Sequence, residues 1–287
     1  MPHTTLISTA DLAGHLSGGW VIVDCRSNLM NPAWGAEQYA AGHIPGAVFA
    51  SLNDDLAADR TGRNGRHPVP SPDVLAATFS RWGIGAGTQV VAYDQGEGLY
   101  AARLWWSLRY LGHDAVALLD GGFAKWTSEG RPTTVDVPAR APAAFEPRPH
   151  PDWLVGADAV TRMLDDGRTL LVDARGPERF EGKEEPIDRV AGHIPGAANH
   201  YYKWNVAGDG TMLPPEVLRA RYTELLDGRS PDQAVMYCGS GVSACHNLLA
   251  MELAGLPGAR LYPGSWSEWS SDPARPVETG PGRRPAP

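Results

Sequence analysis

Ala234-Val235-Met236-Tyr237-Cys238-Gly239-Ser240-Gly241-Val242-Ser243-Ala244 is the stretch around which the chain can be read. Its first four residues form an apolar run with the length and content of a buried strand. Behind it, Cys245 to Gly255 has the pattern of an apolar helix, with Gly255 as its stop. Between them lies a six-residue glycine-rich loop, Gly239 to Ala244, with Cys238 at the strand's end. Two glycines let the backbone curl so that successive N–H groups point inward as an anion cradle. The helix start adds partial positive charge. Thiols in such settings ionise at about pH 3.5–7.5, against about 8.5 for a free cysteine. Cys238 is therefore expected to be a nucleophile; a merely buried cysteine at a strand end has no need of the loop.

The strand–loop–helix order points to an α/β protein, and the rest of the chain repeats that order. Val21-Ile22-Val23-Asp24-Cys25-Arg26 returns as Leu170-Leu171-Val172-Asp173-Ala174-Arg175. Ala41-Gly42-His43-Ile44-Pro45-Gly46-Ala47 returns unchanged 150 residues later as Ala191 to Ala197. Gly121-Gly122-Phe123-Ala124-Lys125-Trp126 returns as Gly264-Ser265-Trp266-Ser267-Glu268-Trp269, and Arg131-Pro132 as Arg275-Pro276. A repeat this long is a duplicated domain, not a solenoid unit. Early helices are expected over Thr9 to Leu16 and Ala157 to Leu164, and last strands over Ala115 to Leu119 and Ala259 to Tyr262. Helices should open at Ser71-Pro72 and Pro214-Pro215, since Pro is favoured in the first turn. Residues 137–152, with five prolines and no apolar period, read as an extended surface linker between copies at 1–136 and 153–287. The Pro/Gly-rich tail after Pro276 is expected to fray.

Composition narrows the function. The chain has 287 residues, 43% hydrophobic and 20% charged, which suits a soluble protein with two real cores. A net charge of −8 argues against a nucleic-acid surface. No run approaches the ~18 apolar residues of a membrane span, and the Met1-Pro2-His3 start lacks the pattern of a secretory signal. Cys25, Cys238 and Cys245 are too few and scattered for a disulfide framework or a zinc site, and fit a reducing cytoplasm. No metal, organic cofactor, nucleic acid or membrane is implied.

The duplication serves as an internal control. Features in both halves (Asp24 and Asp173, Arg26 and Arg175, His43 and His193) are expected to be architectural; features in one half are candidates for chemistry. Aligning Val90 to Gly98 with Ala234 to Val242 sets Tyr93 on Tyr237 and Asp94 on Cys238. A carboxylate cannot form a persulfide, so the first copy is expected to be silent. Gly239-x-Gly241-x-x-Ala244 imitates a dinucleotide fingerprint, but no acidic residue ends the next strand near Tyr262. A cysteine phosphatase needs an Arg six places after its Cys, where Ala244 stands here.

These motifs together make the chain resemble the tandem-domain rhodanese-like sulfurtransferases over nearly its full length. The resemblance implies an α/β fold of two rhodanese-like domains, each a mostly parallel sheet flanked by helices. The loop Cys238-Gly239-Ser240-Gly241-Val242-Ser243 is similar to that of 3-mercaptopyruvate sulfurtransferases, with Ser243 in place of Thr. Thiosulfate-preferring relatives carry basic residues directly after the Cys, where Gly239 and Ser240 stand here. In the family the loop Ser works with a His and an Asp of the first domain. His67 matches the His and Asp55 is taken as the Asp, with Asp54 and Asp59 left open. Two arginines hold the donor carboxylate; Arg179 matches the first, and Arg189, a few residues offset, the second. The resemblance thus implies a persulfide on Cys238, cradled by the N–H groups of Gly239, Gly241, Val242, Ser243 and Ala244 together with that of Ser240. It implies a small sulfur donor and, as acceptor, cyanide, a thiol or a thioredoxin-like protein. Thiosulfate:cyanide transfer by the same cysteine, or a persulfide carrier without turnover, are the alternatives. Cys245 is read as core.

Overall fold

The computed structural model of the protein describes residues 2–282. The chain divides into two compact units: Met1–Ala58 with Val69–His150 and Val206–Met212, and Asp59–Pro68 with Pro151–Asn205 and Leu213–Pro287.

The first unit holds β1 (Leu6–Ile7), β2 (Val21–Asp24), β3 (Ala47–Phe49), β4 (Val90–Tyr93) and β5 (Val116–Leu119). They form one sheet in the order β1-β5-β4-β2-β3, every pairing parallel. β2, β4 and β5 are buried at every residue, as apolar runs covered on both faces should be. The helices are α1 (Thr9–Ala13), α2 (Trp34–Ala41), α3 (Pro72–Arg81), α4 (Ala101–Tyr110) and α5 (Gly122–Ser128). Ser71 caps α3, its hydroxyl accepting from Val74 N–H, with Pro72 in the first turn.

The second unit repeats the plan with α6 (Ala157–Met163), β6 (Leu170–Asp173), α7 (Pro177–Phe180), β7 (Ala198–Asn199), α8 (Pro215–Leu226), β8 (Ala234–Tyr237), α9 (Ser243–Leu253), β9 (Arg260–Leu261) and α10 (Ser265–Trp269). Its parallel sheet runs β7-β6-β8-β9, which is the order β3-β2-β4-β5 of the first copy. In place of β1 there is one parallel bridge, Leu154 to Leu261.

The repeated signatures meet in space within each unit. Arg26 donates from Nε and Nη2 to Asp24 and from Nη2 to the Gly42 carbonyl at 2.7 Å. Arg175 does the same to Asp173 and to Gly192, also at 2.7 Å. Each guanidinium lies over an aromatic ring of the third signature, Phe123 or Trp266. His43 and His193, both fully buried, donate from Nδ1 to the carbonyls of Tyr39 and Phe180. Trp126 and Trp269 donate to the carbonyls of Pro132 and Pro276, and Arg131 and Arg275 lie over the same two rings, so each repeated Arg-Pro pair packs on its own tryptophan. The architectural reading of the shared residues holds: the Asp–Arg pairs tie the Gly-His-Ile-Pro-Gly turn to the strand ends, and the histidines tie it to the preceding helix.

Three expectations need correction. α9 begins at Ser243, so the loop after Cys238 is only Gly239 to Val242, and Ser243 and Ala244 are in the first helical turn. α1 stops at Ala13, short of Leu16, because Gly14 takes its C-cap. The tail after Pro276 is pinned: His193 and Glu278 exchange both main-chain bonds, and Gly280 N–H donates to Glu181. The part of that expectation concerning 283–287 lies outside the described residues. The proline-rich segment has no helix or strand through residue 150, yet is anchored by a buried Phe145 whose ring lies 5.2 Å from that of Phe79. Among the described residues no helix is long and apolar enough to cross a membrane.

Candidate active site

Two chain segments fix the main chain of Cys238. Its N–H donates to Ser265 Oγ at 3.1 Å, and its carbonyl accepts from Trp266 N–H at 2.9 Å. The next carbonyl, of Gly239, accepts from Ser267 N–H at 3.0 Å. So α10 holds the start of the loop while β8 holds its root. The loop then turns back on the sulfur. Gly241 N–H donates to Cys238 Sγ at 3.1 Å and Ser240 N–H at 3.5 Å. Gly241 reaches this geometry at φ +75°, in the left-handed region that favours glycine. A methyl group there would stand 2.5 Å from the Pro263 carbonyl oxygen. The two N–H groups that reach the cysteine sulfur itself thus come from the loop residues Ser240 and Gly241.

The first copy shows what such a cradle is for. Asp94, at the place of Cys238, is buried and accepts four main-chain N–H bonds. Gly96 and Gly98 donate to one oxygen at 3.0 Å each, Tyr100 and Ala101 to the other at 2.8 and 3.3 Å. Burial pushes this carboxyl up from the ordinary range, and the four N–H bonds pull the other way. The same device holds a built-in anion in one unit and presents a sulfur in the other. Asp94→Ala should strand those donors and lower unfolding stability by about 3–5 kcal/mol. Asp94→Asn, whose amide accepts on one side only, should cost about half as much; urea unfolding checks both.

Beside the sulfur stands a buried pair. His67 Nδ1 and Ser240 Oγ are 2.8 Å apart, and both residues are buried. His67 arrives on the Asp59–Pro68 loop, first-half sequence that belongs to the second unit. Asp55 belongs to the first unit, where its carboxylate accepts from Ser51 N–H and pairs with Arg81. Burial pushes the Asp55 carboxyl up despite those partners. Asp54 accepts from the Ser51 hydroxyl. Cys245 is buried and donates to the Gly241 carbonyl, bracing the loop from below.

The cationic side of the site holds a residue that sequence reasoning missed. Arg179 donates to Glu185 at 2.7 Å and to Asp188 at 3.1 Å. Arg66, next to His67, pairs with the same Asp188 through its Nη1. A methyl group on Gly239 would meet Arg66 Nη2 at 2.9 Å and both terminal nitrogens of Arg179 at 3.7 Å. Two guanidiniums therefore converge directly beside Cys238. Arg189, the offset candidate, is exposed and lines an adjoining cleft of about 640 Å³ with Arg60, Arg66 and Asp188. Val242 precedes the first residue of α9, and neither it nor Ser243 or Ala244 donates to the sulfur. Ser265 was also overlooked, though the repeat held the signal: it replaces Gly122 at a left-handed position (φ 53° and 58°). A non-glycine residue there costs about 1 kcal/mol or more, and its hydroxyl holds Cys238 N–H.

Comparison with known proteins gives a concordant picture. The rhodanese-like domain family matches residues 8–129 and again 156–272. The chain is 48% identical, over 98% of its length and all of the relative's, to a Pseudomonas aeruginosa protein named "Probable 3-mercaptopyruvate sulfurtransferase". It is 34% identical to the thiosulfate sulfurtransferase of Cricetulus griseus, over 93% of this chain and 92% of that one. Among solved structures, 3-mercaptopyruvate sulfurtransferase from Leishmania major is similar with a TM-score of 0.84 at 29% identity, covering 94% of this chain and 75% of that one.

Proposed function

The chain belongs to the rhodanese-like domain family and is a sulfurtransferase, and we propose that it takes sulfur from 3-mercaptopyruvate through a persulfide on Cys238. The observation that carries this reading is the convergence of two main-chain N–H groups on one sulfur, with a buried Ser–His pair alongside.

In the first half-reaction the Cys238 thiolate attacks the donor thiol's sulfur. The S–S bond forms as the donor's C–S bond breaks, and carbon keeps the electron pair as the enolate of pyruvate. The proton of the donor thiol passes to that carbon, leaving pyruvate and a cysteine persulfide anion. Ser240 and His67 are placed to carry this proton. Ser240 and Gly241 N–H hold charge on the cysteine sulfur without reorganising. Arg179 and Arg66 receive the donor carboxylate, which lies three bonds from its sulfur. Asp55, the candidate third member on the family pattern, lies in the first unit with its carboxylate engaged by Arg81. An acceptor thiol, cyanide or a thioredoxin-like protein then removes the outer sulfur. On this reading residues 1–136 are the non-catalytic copy, 137–152 the linker and 153–287 the catalytic copy. Three free cysteines suit a cytoplasmic setting.

A second reading, thiosulfate as donor, draws on Arg66: its guanidinium at Gly239 brings the positive charge that a dianion needs. Steady-state kinetics with both donors decide. We expect kcat/KM for 3-mercaptopyruvate to exceed that for thiosulfate at least about tenfold; the reverse ratio overturns the choice. Mass spectrometry after donor treatment should find one added sulfur on the peptide holding Cys238.

A further inference from the structure

We propose that Asp188 is a resident stand-in for the donor's carboxylate: it occupies the Arg66–Arg179 clamp in the unloaded enzyme and sets the affinity for anionic donors by competing with them. The inference rests on the reading that a donor carboxylate binds at these arginines.

The geometry is that of a filled anion site. One Asp188 oxygen pairs with Arg66 and the other lies 3.1 Å from Arg179 Nη2. The two cations come from different segments, the 59–68 loop and α7, and Asp188 bridges them. Glu185 takes the remaining face of Arg179 at 2.7 Å and reaches Arg175 at 3.2 Å. Glu185 is fixed further by N–H bonds from Ile187 and Asp188 itself. So Glu185 is built into the fold, while Asp188 meets the two arginines alone and borders the open cleft.

Charge then constrains binding. Around the clamp, Arg66 and Arg179 balance Glu185 and Asp188. A donor carboxylate added to that set leaves an uncompensated buried negative charge, which is costly. The donor must therefore displace Asp188 or bind as Asp188 takes a proton. Displacement has a destination, because the exposed Arg189 lines the cleft that Asp188 borders. Protonation is eased by burial, which pushes the Asp188 carboxyl up even though Arg66 and Arg179 pull it down; Glu185 also raises it.

The test is the KM for 3-mercaptopyruvate of wild type, Asp188→Asn and Asp188→Ser across pH. Neutralising the stand-in should lower KM about five- to tenfold at neutral pH, the change falling on KM and not on kcat. Wild-type KM should fall as pH is lowered from neutral toward the carboxylate range, since a protonated Asp188 releases the arginines, and the Asn variant should lose this slope. Asp188→Ser, which cannot mimic the carboxylate, guards against a packing effect peculiar to Asn. If both variants leave KM unchanged or raise it, Asp188 only props the arginines and the proposal fails. If wild type consumes no 3-mercaptopyruvate, the underlying reading of the donor fails instead, and the two failures are told apart by that control.

Discussion

Cys238→Ser is expected to abolish sulfur loading and to reduce donor consumption by about four orders of magnitude or more. The serine oxygen would lie near the same two N–H groups, 3.1 and 3.5 Å from the sulfur in the native protein. Its failure would then come from the nucleophile and not from a lost scaffold. A hydroxyl stays protonated near neutral pH and is a weak nucleophile, whereas sulfur is intrinsically a strong one. Folding should be nearly unaffected, because the main-chain bonds of Cys238 to Ser265 and Trp266 do not involve the sulfur. Circular dichroism beside a pyruvate-release assay separates the two effects. Continued turnover at the native rate would move the chemistry to another residue.

Gly241→Ala is expected to lose about a hundredfold in kcat while leaving the nucleophile in place. The native φ of +75° lies where a side chain costs about 1–2 kcal/mol, before any clash. The new methyl would also stand 2.5 Å from the Pro263 carbonyl oxygen, which sits just before α10 and cannot yield cheaply. The loop must therefore shift, and the N–H that shifts with it is the closer donor to the sulfur. Removing one oriented N–H from such a site costs roughly 10²–10³ in rate. Stability should fall by about 1–3 kcal/mol in the same variant. An unaltered kcat would mean that the Gly241 N–H contributes nothing to the transition state.

Most of the scaffold was legible because the chain contains it twice. Asp24/Asp173, Arg26/Arg175 and His43/His193 could be assigned to architecture by their recurrence, and each pair makes matching bonds in its own unit. The expectation of a silent first copy came from one substitution in an aligned loop, Asp94 at the place of Cys238. What could not be read were the partners set by long-range folding. Arg66 looks like an ordinary surface residue until the 59–68 loop is placed with the second unit, some 170 residues from Gly239 in sequence. The length of the loop was overestimated because Ser243 and Ala244 suit a loop and a helix equally well. Ser265 escaped notice although the repeat exposed it, since a Gly-to-Ser change reads as conservative unless the backbone angle is known.

That short loop has a consequence for how the halves depend on each other. Arg66 and His67 are encoded in the first half of the repeat and lie in the second unit, with Cys238 and Ser240. If the proposed roles hold, a chain cut at His150 would separate the cysteine from His67 and from Arg66. On that reading the first copy cannot be deleted without taking parts of the site with it, even though its own loop carries Asp94 in place of the cysteine.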